Sequence, residues 1–234
     1  MITLFTEMRD DITGQLDLSN SFLTNFPLRK ISTQSSFHFV RLLNLRDNNL
    51  SSLPEDLHVY FPNIVKIILE FNEFYHLPQT VCKLSKLEAL SISANKISNL
   101  PKDLKNLSKL CMLSASSNSF SHFPKVLCEI PSINRVYLTG NKISEIPEEI
   151  GNLENLIALE LAGNSIESVP SSFTKLTNLQ CLTLFANKIS SGWENVAQMK
   201  HIKFMRLSSS SGENISEEVK QMFSHYTNKN QCFA

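Results

Sequence analysis

No stretch of this 234-residue chain approaches the ~18 consecutive apolar residues of a membrane-spanning helix, so no membrane insertion is expected. Neither sign of charge is in excess. Lys and Arg number 22 and Asp and Glu number 22, which leaves no electrostatic case for nucleic acid or an anionic membrane. The five cysteines, Cys82, Cys111, Cys128, Cys181 and Cys232, contain no C-x-x-C pair. Their odd count and scatter read as free thiols in a reducing compartment. Met1–Asp10 carries Glu7 and Asp10 without an apolar core, so it makes a poor secretory signal. Ile2 excludes myristoylation, and Cys232, third from the end, misses the prenylation box. Together these absences predict a cytoplasmic protein.

Signatures of catalysis are missing too. The sequence has no G-x-x-x-x-G-K-[ST], G-x-G-x-x-G, G-x-S-x-G or H-E-x-x-H. The run Ser208–Ser211 reads as an eroded strand and turn rather than a nucleophile. Cys82 and Cys128 read as packing residues. No catalytic residue, cofactor site or metal site is expected, and the chain is read as a non-enzyme.

What is present is a period. Asn48, Asn72, Asn95, Asn118, Asn141, Asn164 and Asn187 are separated by one interval of 24 residues and five of 23. Apolar residues keep fixed offsets around each. Leu90, Ile92, Asn95, Ile97, Leu100 and Pro101 in one unit match Val136, Leu138, Asn141, Ile143, Ile146 and Pro147 in another. A period of this length marks a stacked solenoid in which each unit contacts only its neighbours.

Each unit opens on a short strand. In Met112–Ser116, alternation turns Leu113 and Ala115 inward and Met112, Ser114 and Ser116 outward. The Asn follows at the turn. A buried amide offers both a donor and an acceptor, so the seven form a structural ladder joining adjacent turns. Pro54, Pro78, Pro101, Pro124, Pro147 and Pro170 then suit the first turn of a short helix. His76 and His122 hold the same position two repeats apart. That is ~10 Å of strand spacing, too far to share a metal with ~2 Å bonds.

The L-x-x-L-x-L-x-x-N-x-L signature with a trailing L-P resembles the leucine-rich-repeat family, and the 23-residue unit resembles its intracellular Ras-suppressor class. The resemblance covers about nine tenths of the chain. It implies an α/β fold, a right-handed solenoid or horseshoe. The parallel β-sheet would line the concave face, with short helices or turns on the convex face. One domain, 1–234, is expected: an N-terminal cap over 1–12, about nine repeats over 13–212, and a capping helix and tail over 213–234. The first unit has Ser21 in place of Asn, with a four-residue insertion within Leu28–Phe39. The eighth replaces L-P with Gly192-Trp193, and the ninth has Ser210 for Asn.

Outward strand residues are not needed for the core and are free to serve binding. Arg46, Asp47, Lys66, Ile68, Glu70 and Phe71 form one mixed patch. Met112, Arg135, Tyr137, Glu160, Phe185, Phe204 and Arg206 form a second, beyond a floor of small residues. Aromatic and Arg side chains are typical interface anchors. The expected function is a non-catalytic protein–protein interaction module, a cytosolic adaptor or scaffold in signalling. The resemblance suggests a small GTPase, a phosphatase or a kinase as partner. The alternatives are a substrate-receptor or regulatory subunit of a ubiquitin-ligase or phosphatase complex, or a purely structural repeat protein.

Overall fold

The computed structural model describes residues 14–27, 37–207 and 221–222. The expected N-terminal cap over 1–12, the expected capping helix apart from residues 221–222, which are helical, and most of the expected insertion lie outside these residues. The described chain forms a nine-stranded parallel sheet whose spatial order is its sequence order. The strands are β1 Gln15–Asp17, β2 Leu42–Asn44, β3 Lys66–Ile68, β4 Ala89–Ser91, β5 Met112–Ser114, β6 Arg135–Tyr137, β7 Ala158–Glu160, β8 Cys181–Thr183 and β9 Phe204–Arg206. This is the leucine-rich-repeat horseshoe. The sheet lines its concave side, and the return segments form its convex side.

The core explains why three-residue strands suffice. The central residue of each strand, from Leu16 through Leu113 to Met205, is no more than 2% exposed. Two residues later a second inward column runs Leu18, Leu45, Leu69, Ile92, Ala115, Leu138, Leu161, Leu184 and Leu207. Each buried Leu or Ile contributes ~1.5–3 kcal/mol, and the neighbouring repeats together with its own return segment supply the surface that buries it. Backbone pairing continues past the strands, as in Ile92 N–H to Ser114 C=O at 2.7 Å.

The asparagine side chains bond between adjacent turns. Asn118 Oδ1 accepts from Ile97 N–H at 2.9 Å, and its Nδ2 donates to Ile92 C=O at 2.9 Å and Ala115 C=O at 3.2 Å. Asn141 and Asn164 repeat this one and two units on. At the N-terminal side the series ends on Asn48, whose Oδ1 accepts from Ser21 N–H at 3.1 Å and Leu23 N–H at 2.9 Å.

The convex side carries the expected short helices, and two local features differ from the sequence reading in detail. The convex segments of five repeats are five-residue 3₁₀ helices, beginning at Gln79, Lys102, Lys125, Glu148 and Ser171. Each proline stands just before its helix in extended backbone, and its carbonyl accepts the first i+3 bond, as in Leu104 N–H to Pro101 at 3.1 Å. So short a helix has little macrodipole for acidic residues to complement. True α-helix occurs in α1, Leu57–Tyr60, and α2, Trp193–Ala197. The second difference is a column of left-handed residues directly before the asparagines: Asp47, Phe71, Ala94, Ser117, Gly140, Gly163 and Ala186. Glycine in two of these units was the signal for it.

Candidate protein-binding surface

The sheet register brings the outward residues into rows. Lys66, Ala89, Met112, Arg135, Ala158, Cys181 and Phe204 are successive register partners, as are Ile68, Ser91, Ser114, Tyr137, Glu160, Thr183 and Arg206. Not all of this face is free, however. Ser91, Ala158, Ala162 and Thr183 are buried, because larger neighbours on adjacent strands close over small side chains. The expectation that outward positions stand clear of the core fails at these four.

At the N-terminal end, Arg46 forms an ion pair with Glu70. Its guanidinium also lies 4.7 Å from the centre of the Phe71 ring. The Ser91 hydroxyl donates to the second Glu70 oxygen. Glu70 is therefore satisfied on both oxygens, and Arg46 is held from two sides. Phe71 is half exposed and has φ +53°, a region costly for a bulky residue. Asp47, the corresponding residue one unit earlier, is exposed and likewise left-handed.

At the other end, the Arg206 guanidinium lies 4.3 Å from the Phe185 ring centre, and Phe204 is 41% exposed. Arg135 is exposed and donates to Asn134 Oδ1 at 3.0 Å. Burial pushes the Glu160 carboxyl above its ordinary pKa. Burial, and then the Glu160 charge, also raise the Tyr137 phenol and the Cys181 thiol. Among the described residues, no hydrogen bond or ion pair reaches the Glu160 carboxylate.

The small-residue floor does not separate two patches. It forms the bottom of one depression of about 360 Å³, walled by Arg46, Lys66 and Glu70 on one side and by Met112 and Tyr137 on the other. Ile68, Ser91 and Ser114 lie between. The Ser114 and Ser93 hydroxyls meet at 2.8 Å, which fixes the floor. Among the described residues, neither the Lys66 ammonium nor the Tyr137 hydroxyl has an internal partner. A convex-side hollow of about 370 Å³ is similar in size. Two of the three lysines on its wall are paired, Lys105 with Glu129 at 2.9 Å and Lys125 with Glu149 at 3.2 Å, whereas Lys102 has no internal partner among the described residues. The concave hollow differs in the apolar and aromatic surfaces, Ile68, Met112 and Tyr137, that stand beside its lysine.

The convex thiols offer no nucleophile at neutral pH. Cys82 and Cys128 are buried, and desolvation pushes them up to about 11 and about 12. Among the described residues, no three His, Cys, Asp or Glu side chains converge as metal ligands. Nor is any described helix long and apolar enough to cross a membrane.

Family models corroborate the repeat. One described as a leucine-rich-repeat region matches residues 132–224, and one described as leucine-rich repeat matches residues 62–120. This is a leucine-rich-repeat protein. A leucine-rich-repeat protein of Leptospira interrogans superposes with a TM-score of 0.78 at 29% identity, over 88% of this chain and 52% of that one. Internalin C2 of Listeria monocytogenes gives a TM-score of 0.70 at 20% identity, over 83% and 80%, a likeness of fold. Rat osteomodulin is 35% identical over 115 residues, which is 48% of this chain and 26% of osteomodulin. The chain thus spans about a quarter of that relative and half of the Leptospira protein. Leucine-rich-repeat proteins generally mediate protein–protein interaction, and the fold is typically non-catalytic.

Proposed function

We propose that this leucine-rich-repeat protein binds a protein partner through its concave face, as a cytoplasmic adaptor or scaffold of the Ras-suppressor kind. A small GTPase, a phosphatase or a kinase fits such a role. One observation carries the reading: two arginine–aromatic stacks, Arg46 over Phe71 and Arg206 over Phe185, stand on the same sheet face. Arg and aromatic side chains dominate binding energy where they are held in place and desolvated by a partner. A stiff solenoid presents them with little ordering cost on association.

The test compares affinity-purified complexes of the wild type and of the double variant Tyr137→Ala, Phe185→Ala, followed by titration calorimetry with the recovered partner. The concave variant should lose at least ~2 kcal/mol of affinity while keeping its circular dichroism. A convex variant, Lys83→Ala with Lys109→Ala, should bind as wild type. Full affinity in the concave variant, or loss confined to the convex one, would place binding elsewhere.

A further inference from the structure

The shape and charge of the concave face specify what it can take. The outward rows are two residues apart along each strand, so three rows span ~13 Å. From β2 to β8 there are six strand spacings, or ~29 Å. The resulting strip is ~400 Å², about half of what each partner buries in a standard domain–domain interface. It matches the footprint of an extended chain segment lying across the strands.

Charge then fixes the register of that segment. Around the depression, Arg46 and Glu70 neutralise each other, and Lys66 supplies one positive charge with no internal partner among the described residues. One net charge suits a carboxylate. A phosphoryl group, at about −1.5 to −2, would be under-neutralised there. On β7 the situation is reversed: Glu160 is a half-buried carboxylate without an internal cation. Its desolvation weakens the protein as it stands and is relieved when a cation arrives. Between the two lie the apolar surfaces of Met112 and Tyr137.

Building on the concave-face reading, we infer that the site recognises an extended peptide segment with an acidic side chain at Lys66 and a basic side chain at Glu160, bracketing an apolar residue. The spacing follows from the sheet. Lys66 and Glu160 lie on β3 and β7, four strand intervals apart and offset by two residues along the strand, ~20 Å in all. At ~3.3 Å per extended residue, the two charges of the ligand are about six positions apart.

The probe is a phage-displayed random dodecapeptide library panned on the whole chain. Enriched peptides should carry Asp or Glu about six positions from Lys or Arg, with an apolar residue between. Lys66→Glu should convert the selected acid to a base, and Glu160→Lys should convert the selected base to an acid. A synthetic consensus peptide, read by fluorescence anisotropy, should bind each variant roughly tenfold or more weakly, ~1.4 kcal/mol. Lys66→Met, which introduces no new charge, should lose the acidic preference and keep the basic one. Circular dichroism checks that every variant is folded. No enrichment, enrichment without the charge pair, or a pattern unmoved by the reversals overturns this inference. If such peptides still fail to bind Tyr137→Ala, Phe185→Ala, the concave-face reading survives. If they bind it fully, that reading falls as well.

Discussion

Replacing Asn118 with Ala tests whether the asparagine column holds the stack together. Asn118 sits mid-solenoid and is 8% exposed. Its amide donates to three carbonyls, but none is orphaned by its loss. Ile92 C=O still accepts from Asn95 at 3.0 Å, Ala115 C=O from Asn141 at 3.1 Å, and Ser116 C=O from Ala94 N–H at 2.9 Å. The redundancy does not extend to the acceptor side. Ile97 N–H bonds to Asn118 Oδ1 and has no second acceptor among the described residues. One buried donor is therefore stranded, at a cost of ~1–3 kcal/mol. Taking ~2 kcal/mol with a urea m-value near ~2 kcal/mol/M, the midpoint should fall by about 1 M. The assay is urea unfolding followed by circular dichroism. Lys109→Ala, exposed and outside the ladder, should change stability by no more than ~0.5 kcal/mol. Coincident midpoints for the two variants would refute the ladder as a source of stability.

Four further outcomes are expected. Gly192→Ala should destabilise by at least ~2 kcal/mol, because φ is +85° and the new Cβ would overlap the Val169 carbonyl oxygen; an unchanged melting temperature would contradict that packing. Phe71→Asn should leave stability within ~1 kcal/mol of wild type, since relief at the left-handed position offsets the lost Arg46 stack, while partner affinity drops. Burial raises the Glu160 pKa, so its contribution to stability is full below the unfolded carboxylate range and lost as pH rises through the folded value. Glu160→Gln should therefore melt higher than wild type at neutral pH and alike in acid, and parallel pH curves would count against a desolvated carboxylate. Maleimide labelling of native protein near neutral pH should modify Cys111 well before Cys82 and Cys128; equal rates, read by peptide mass spectrometry, would show that the convex side is not closed over its thiols.

The register of the whole sheet was legible in the sequence because the period sets it: a fixed repeat pairs each strand residue with its counterpart one unit on. The inward columns followed from alternation within the same units. The left-handed column was less visible. Only Gly140 and Gly163 advertise it, and Asp47, Phe71, Ala94, Ser117 and Ala186 adopt it because the turn requires it. The site was legible as a set of positions but not as an arrangement. That Ser91 and Thr183 are buried depends on the bulk of side chains one strand away. That Arg46 engages both Glu70 and Phe71 depends on rotamers. Neither is a property of periodicity. The same holds for the depression, which joins residues that sequence reasoning assigned to separate patches.

The arrangement bears on how affinity would arise. A free Arg side chain carries ~2 kcal/mol of rotamer entropy that a partner must overcome before its guanidinium becomes useful. Arg46 is already held by Glu70 and Phe71, and Arg206 already rests on Phe185. Both anchors thus meet part of that cost before any partner arrives. Lys66 and Glu160, between them along the sheet, have no such internal support among the described residues and gain it only on binding. The rigid pairs therefore favour fast, shape-selective docking at the two ends. The two unsupported charges reward a ligand whose own charges fall at the matching interval. Removing an end anchor should weaken many ligands alike, whereas reversing a central charge should change which ligand is chosen.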